Sequence, residues 1–282
     1  MSDNSEVKVG LVLPVITSRY ILKLVDKVIK TVQLKNYHMC IVNNGQPAVA
    51  EYLAKYKWPA NVSILNLPEN RCFAGSNNAG WKYLLEKFPA VKYLGSLSDD
   101  TIPRAGWLDG MVEALEKYPK TGLAVPIIEE EYGIFHLRGG RFFKHLKGLG
   151  IFKTQDLCVY EYDNSVTIKC VGFEAVKDTF VPVIRGACFL TDAGILKEID
   201  FFDERFKNSC EDVDLCLKML TAGYRIVLAK NSRVFHLGAM SVGLKKAGTN
   251  YTASHKLFDE KWGKDISKYN NIDKEGFLKP GE

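Results

Sequence analysis

Short apolar runs alternate with helical segments over the first half of the chain, and this alternation constrains the fold more than any other feature. Four runs rich in β-branched or large apolar residues fit buried strands, at 7–13, 39–42, 62–67 and 91–97. Segments with apolar side chains at helical spacing lie between them, at 21–32, 49–56 and 77–88. Strands that are apolar throughout are typical of a parallel sheet covered by helices on both faces. The sequence therefore predicts an α/β fold with a mostly parallel central sheet.

The second half of the chain is less regular. A helix is predicted at 106–118 and a strand at 122–128, followed over 129–180 by an insertion of loops and short strands at the rim of the site. Regular elements resume beyond the insertion, at 183–190, 195–199, 211–222, 224–229 and 234–237. The sequence predicts one domain over 1–250 and a polar helical tail over 251–282.

Composition limits the classes of protein that this chain can belong to. Hydrophobic residues make up 46% and charged residues 25%, which is ordinary for a globular protein. The apolar runs are too short to span a bilayer, and the first residues lack the apolar core of a signal peptide. The seven cysteines are scattered, with no CxxC pair, which favours reduced thiols in the cytoplasm over disulfides or a zinc site.

The net charge of +5 is small and spread along the chain. Basic residues are not interleaved with aromatic residues in one long block, so nucleic acid is not an expected partner.

Polar or turn-forming residues follow the predicted strands where a ligand site is expected. Ligands of parallel α/β sheets bind beyond the carboxyl ends of the strands. The features that fall there are Pro14, Asn43-Asn44, the loop 70–75 and Asp99-Asp100. Their convergence predicts a binding site at this edge of the sheet.

Two acidic motifs lie at the ends of predicted elements. Ser98-Asp99-Asp100 closes a buried strand, where carboxylates are costly without a cation, and hard divalent cations prefer carboxylate oxygens. Glu211-Asp212-Val213-Asp214 opens a helix, where the helix dipole favours negative charge. Together they suggest a divalent metal and a general base acting on a phosphorylated substrate. A turn with solvated acids and an ordinary helix cap remain open as alternatives, and Asp214 fits a surface pair with Lys218.

The order of the motifs resembles family 2 glycosyltransferases of the GT-A fold, most closely their rhamnosyltransferase-type members. The resemblance covers roughly residues 7–240, through Pro14, 41–45, 70–80, 98–100, 106–108, 185–190, 211–215 and His236. It implies a nucleotide-diphospho-sugar transferase fold, with a nucleotide-sugar-binding half at about 7–125 and an acceptor-binding half at 126–250.

The resemblance also implies an activity. A hexosyltransferase of this family moves a sugar from a UDP- or dTDP-sugar to a hydroxyl of a glycan or glycolipid, and rhamnose is one candidate for that sugar. The resemblance implies that the transfer inverts the anomeric configuration and serves polysaccharide biosynthesis. Asp212 matches the general base, with Glu211 beside it. Asp100 and His236 match the ligands of Mn²⁺ or Mg²⁺, while Ser98 replaces the first acid of the family's DxD motif. A lipid-borne acceptor would imply peripheral contact with a membrane from the cytosolic side.

The same comparison assigns the remaining site residues. The donor side is matched by Pro14, Asn43, Asn44, Asn70, Phe73, Gly75, Asn77, Ser98 and Asp99. The acceptor side is matched by Arg185, Gly186 and Trp107. Asn43 replaces the family's usual Asp, and its amide can still pair with a pyrimidine ring. Gly75 would allow the backbone to approach the donor closely.

Two other classes remain as alternatives. A nucleotidyltransferase would need a Gly-rich basic signature after the first strand, which residues 14–19 fit poorly. A non-catalytic carbohydrate- or nucleotide-binding module would bind the donor without turning it over. The sequence leaves open the sugar, the base, the acceptor, the linkage and the oligomeric state.

Overall fold

The computed structural model describes residues 6–129, 135–137, 157–162, 165–170, 178–184, 186–236, 250–263, 269 and 272–279. Within these ranges, nine strands form one mixed, mostly parallel sheet with helices on both faces. This confirms the α/β fold expected from the alternating pattern.

The elements are numbered in chain order. The strands are β1 (Val9–Val15), β2 (Tyr37–Asn43), β3 (Val62–Asn66), β4 (Tyr93–Leu97), β5 (Thr101–Pro103), β6 (Thr121–Glu129), β7 (Phe135–Leu137), β8 (Leu157–Tyr162), β9 (Ser165–Cys170), β10 (Thr179–Phe180), β11 (Cys188–Asp192) and β12 (Arg225–His236). The helices are α1 (Ile21–Thr31), α2 (Pro47–Ala54), α3 (Cys72–Lys87), α4 (Trp107–Lys117), α5 (Ala193–Glu198), α6 (Glu211–Thr221) and α7 (Tyr251–Trp262).

The large sheet has the strand order β10-β12-β6-β11-β4-β1-β2-β3, and β5 pairs with β12. Strands β1 to β4 are parallel to one another, and β12 is parallel to β6. Strand β11 lies between β4 and β6 and is antiparallel to both. Strands β7, β8 and β9 form a separate antiparallel sheet inside the predicted insertion.

Hydrophobic cores lie on both faces of the sheet. One face packs against α1, α2 and α4, and the other against α3, α5 and α6. Strand β1 is apolar along its whole length because Leu11 and Leu13 enter one core while Val12 enters the other.

Several predicted boundaries differ from the structure. Helix α3 begins at Cys72, five residues before the predicted start, and its Gly80 packs directly on β1. A Cβ at Gly80 would lie 2.7 Å from both methyl groups of Val12, so this glycine permits close helix–sheet packing instead of breaking the helix. Pro14 continues β1 instead of ending it. The pairing of β1 with β4 ends at Val12, so the missing N–H of Pro14 removes no hydrogen bond to β4.

The later strands differ as well. Strand β11 starts at Cys188, whereas the prediction placed a strand at 183–190. The two strands predicted at 224–229 and 234–237 are one strand, β12, with a register shift between Ala229 and Arg233. Within the ranges described, none of the helices combines the length and the apolar character that crossing a membrane requires.

Candidate functional site

Pairing between β5 and β12 brings the late histidine to the first acidic motif. His236, the last residue of β12, is opposite Thr101, the first residue of β5, and Thr101 follows Asp100 directly. The Nε2 atom of His236 lies 3.1 Å from Oδ1 of Asp100, and their side chains are only 8% and 3% exposed. Residues that are far apart in the sequence therefore form a buried pair at the edge of the sheet.

Ser98 completes this cluster as a hydrogen-bond donor. Its Oγ donates to Oδ1 of Asp100 over 2.7 Å, and its backbone N–H donates to the carbonyl of Ala187. Asp99, which is also buried, lies between Ser98 and Asp100 in the turn after β4. Ser98 thus orients the carboxylate that matches the metal ligand.

The Asp100–His236 pair fits a divalent cation whose remaining ligands come from the substrate. In the described part of the chain, no group of three His, Cys, Asp or Glu side chains could hold a metal by itself. Mg²⁺ is typically bound by one or two carboxylates, with phosphate oxygens and water completing the shell. The carboxylate of such a pair suits Mn²⁺ as well as Mg²⁺.

The second acidic motif opens α6 and is connected to the first through two neighbouring residues, since Gly186 bonds to Asp212 and Ala187 bonds to Ser98. Oδ2 of Asp212 accepts a 3.0 Å hydrogen bond from the backbone N–H of Gly186, just before β11. Its Oδ1 accepts one from the N–H of Val213. Two backbone donors and the helix dipole therefore hold the Asp212 carboxylate at the N-terminus of α6.

Glu211 is buried beside Asp212. Burial, and then the charge of Asp212, raises the pKa of the Glu211 carboxyl to about 8. Its Oε2 atom is buried and has no hydrogen-bond partner within the described ranges. The buried environment therefore favours the protonated form of Glu211.

Four asparagines join the end of β2 to the end of β3 and to the start of α3. The amide of Asn43 donates to the carbonyl of Gln46 and to Oδ1 of Asn66, and its Oδ1 accepts from the N–H of Gln46. Asn44 donates to Oδ1 of Asn70 and accepts from the N–H of Arg71. These side chains hold the loops together, so contact between Asn43 and a nucleobase would require some of its bonds to exchange.

The segment 70–80 leads into a helix as predicted, but the loop predicted at 70–75 is already helical from Cys72 onward. Asn77 is fully buried in α3 and donates to the carbonyl of Phe73. A Cβ at Gly75 would lie 2.7 Å from Cβ of Arg71, so this glycine makes room for a side chain that bonds to Glu204. The close contact that Gly75 permits is therefore with Arg71 of the same chain.

Phe73, which was predicted on the donor side, lies next to Gly186, which was predicted on the acceptor side. Its ring packs edge-on against Phe202, with the ring centroids 5.8 Å apart, and lies 3.6 Å from where a Cβ of Gly186 would be. Its backbone N–H donates to Oδ1 of Asn208. Nothing in the sequence pattern indicated this contact, because Asn208 lies far along the chain in an irregular loop.

Of the two other residues predicted on the acceptor side, the structure describes Trp107 but not Arg185. Trp107 is fully buried in the core at the start of α4, so an acceptor at the surface would not reach it, and its assignment is corrected. Arg185 lies outside the described residues.

Asp214 does not form the predicted surface pair with Lys218. It is fully buried, and its Oδ1 accepts from Lys261 Nζ at 2.6 Å and from Trp262 Nε1 at 2.8 Å. Lys218 instead donates to the carbonyls of Asp200 and Phe201. The i,i+4 spacing was misleading because α7 packs against this side of α6.

Solved structures of glycosyltransferases share this fold. A structure of GalNAc-T7 with UDP, GalNAc and Mn²⁺ has a TM-score of 0.61 at 14% identity, covering 83% of this chain and 44% of that one. The mannosyltransferase PcManGT from Pyrobaculum calidifontis, in complex with GDP-Man and Mn²⁺, has a TM-score of 0.55 at 13% identity, covering 83% and 58%. S. aureus TarS has a TM-score of 0.52 at 14% identity, covering 85% and 37%. The GT-A fold expected from the motifs is confirmed.

Curated relatives are found by sequence as well. The N-acetylglucosaminyl-diphospho-decaprenol L-rhamnosyltransferases of two Mycobacterium tuberculosis strains are 25% identical over 158 residues, or 54% of this chain. The aligned region spans 48% of their length, about half. The profile described as Glycosyl transferase family 2 matches residues 12–180 of the 282-residue chain. With this match added to the GT-A fold and the two acidic clusters at one edge of the sheet, the chain belongs to glycosyl transferase family 2.

Proposed function

We propose that this chain is a metal-dependent inverting glycosyltransferase that moves a sugar from a UDP- or dTDP-sugar to a hydroxyl of a glycan or glycolipid. The observation that carries the proposal is that two separate acidic centres lie at the edge of the sheet where the parallel strands end. The buried Asp100–His236 pair suits a metal–diphosphate complex, and Asp212, at the N-terminus of α6, suits a base. Rhamnose is the first sugar to test, because the curated relatives are rhamnosyltransferases.

The role of Asp212 follows from its charge and its hydrogen bonds. Burial favours the protonated form of Glu211, so we assign the role of base to Asp212. Oδ2 of Asp212 accepts from the N–H of Gly186 and Oδ1 from the N–H of Val213, and a carboxylate oxygen can accept more than one hydrogen bond. Asp212 can therefore accept the proton of an acceptor hydroxyl while Gly186 and Val213 keep the carboxylate oriented.

Transfer then needs a single displacement. The acceptor oxygen bonds to the anomeric carbon, the bond from that carbon to the diphosphate oxygen breaks, and the acceptor proton passes to Asp212. Because attack comes from the face opposite the leaving diphosphate, the anomeric configuration inverts. A divalent cation held by Asp100 and His236 would supply positive charge to the diphosphate.

The donor side is proposed to be the turn after β4 together with the ends of β1 and β2. Pro14 and Asn43 lie there on neighbouring strands, since Val15 is paired with Asn43. Ser98 and Asp99 follow β4, which lies next to β1 on the side opposite β2. Gly186 and Phe73 are proposed to border the acceptor, because both lie next to Asp212.

The compartment and the partners are part of the proposal. The described cysteines at 40, 72, 188, 210 and 216 are thiols and not disulfides, which is in keeping with the cytoplasm. An acceptor carried on a lipid would be met at the cytosolic face of a membrane, by peripheral contact, in the assembly of a polysaccharide.

A panel of nucleotide sugars tests the proposal directly. Purified protein is incubated with Mn²⁺ or Mg²⁺ and each UDP-, dTDP- or GDP-sugar, and the released nucleoside diphosphate is measured with and without saccharide acceptors. UDP- or dTDP-sugars are expected to turn over only with metal. Turnover of GDP-sugars alone would refute the pyrimidine assignment, and binding without turnover would favour a non-catalytic module. The anomeric coupling in the product, measured by NMR, tests inversion.

A further inference from the structure

Helix α7 covers the segment that leads into the proposed base. Phe258 of α7 is 2% exposed and packs in one cluster with Phe206, Cys210, Val213 and Leu217. Oγ of Ser254, one turn earlier, accepts from the backbone N–H of Lys207. The C-terminal helix therefore packs against the approach to α6 and against α6 itself.

The last turn of α7 is bound to a buried carboxylate of α6. Lys261 and Trp262 both donate to Oδ1 of Asp214, which is fully buried. We call these three residues the α7 clamp. Removing one partner of a buried, hydrogen-bonded charge pair is strongly destabilising, because the other charge is left desolvated. Asp214 therefore keeps its observed position only while α7 is docked against α6. Asp214 lies two residues beyond Asp212.

The backbone before α6 needs such external support. Cys210 has a φ of 72°, a left-handed value that is unfavourable for most residues other than glycine, and Asn208 has a φ of 55°, which asparagine adopts more readily. Such conformations persist where surrounding contacts determine them. The side chain of Cys210 packs in the Phe258 cluster, and that of Asn208 accepts from the N–H of Phe73. Contacts from α7 and α3 thus hold the chain in the turn that directs Asp212 at Gly186.

We propose that α7 is a positioning element for the catalytic base. The α7 clamp holds the first turn of α6 from one side, while the N–H of Gly186 holds Asp212 from the other. Loosening the clamp would let the first turn shift and would weaken the Gly186–Asp212 hydrogen bond. This inference rests on the proposed role of Asp212, and Asp214, Lys261 and Trp262 would not themselves touch substrate.

Kinetics of three variants test the positioning role. Trp262→Phe keeps an aromatic ring and removes one donor, and Asp214→Asn keeps the shape and removes the charge. Both are expected to lower kcat at least tenfold, with the Kd for UDP–Mn²⁺ changed less than twofold. Lys256→Ala is the matched control, because it removes an ion pair with Glu260 on the exposed face of the same helix. Its kcat is expected to match that of the wild type. Equal kcat in Trp262→Phe and the wild type would overturn the proposal.

Hydrogen exchange gives a readout that needs no activity. Faster exchange is expected at the Gly186 amide in Trp262→Phe, and not in Lys256→Ala. If exchange rises only within α7 while Gly186 stays protected, the clamp serves packing alone and the proposal fails. Should the wild type turn over no nucleotide sugar, the proposed function would fail, and exchange at Gly186 would still decide whether the clamp positions Asp212. Thermal unfolding of each variant, followed by circular dichroism, confirms that the comparison is made between folded proteins.

Discussion

The backbone N–H of Gly186 and Oδ2 of Asp212 are joined by a 3.0 Å hydrogen bond. This bond links the turn before β11 to the first turn of α6, so the orientation of the carboxylate depends on two separate parts of the fold. A Cβ at Gly186 would lie 3.3 Å from Cβ of Asp212, which is tighter than ordinary contact. A glycine at 186 therefore lets the backbone come close enough to bond to the carboxylate.

Asp212→Asn is expected to abolish transfer while leaving the donor bound. The amide oxygen can still accept from Gly186, at the cost of the bond from the N–H of Val213, but the amide cannot take a proton. Loss of a general base typically costs about 10²–10⁴-fold in rate. Single-turnover rates and calorimetry with UDP–Mn²⁺ measure the two effects separately. Asp26→Asn, at an exposed ion pair on α1, is the control, and full turnover by Asp212→Asn would refute the assignment.

Asp100→Ala and His236→Ala are each expected to weaken binding of the metal–nucleotide complex by roughly tenfold or more, or about 1.4 kcal/mol. Because the two side chains are 3.1 Å apart, the double variant should lose less than the sum of the single losses. Titration calorimetry with UDP and Mn²⁺, and with UDP and EDTA, separates the metal-dependent part of the affinity. Unchanged metal dependence in both single variants would disprove the metal site.

The raised pKa of Glu211 predicts that stability falls as the pH rises from about 4.5 to about 8. Its pKa of about 8 in the fold lies above the ordinary value of 4.5, so the folded state holds this proton more tightly than the unfolded state. The resulting stabilisation is complete below pH 4.5 and is lost as pH rises through 8. Urea unfolding at several pH values should show the free energy of unfolding falling by up to about 1.4 kcal/mol per pH unit in this window.

Glu211→Gln is the matched variant for that pH dependence. Glutamine has a similar shape and no titrating proton, so its unfolding free energy should vary less over the same range. If wild type and variant show the same pH slope, Glu211 is not the titrating group.

Ser98→Asp tests why the first acid of the DxD pattern is a serine. The new carboxylate would replace a hydroxyl that donates to Asp100, and would place like charges side by side. The variant is expected to be less stable without metal and to bind Mn²⁺ more tightly. Thermal unfolding with and without Mn²⁺ measures both effects. Ser98→Ala removes the donor alone, with an expected cost of about 1 kcal/mol and no gain in metal affinity.

The fold was predictable because local signals agreed with the tertiary structure. Strand β1 is apolar along its whole length because it has a core on each face. The convergence of Asp100 and Asn43 on one edge follows from the parallel arrangement of β1, β2 and β4. These features need only periodicity and a topology rule, both of which can be read from the sequence.

Long-range packing accounts for what the sequence did not reveal. Residues 72–76 were outside the predicted helix, yet α3 begins at Cys72, where Asn44 donates to the carbonyl of Cys72 and Asn208 accepts from the N–H of Phe73. The burial of Asp214 depends on Trp262, which lies 48 residues later. Neither partner can be identified from local spacing, since a carboxylate in a first helical turn is more often solvated.

The position of β11 has a consequence for synthesis of the chain. Strand β11 lies between β4 and β6 in the sheet but follows both in the chain. On the ribosome, β4 and β6 therefore emerge before the strand that joins them, and each presents an open edge until Cys188–Asp192 has been made. His236 emerges later still, with the end of β12. The nascent protein thus passes through a stage in which the middle of its sheet is incomplete, and the open edges of β4 and β6 are then exposed to wrong pairing.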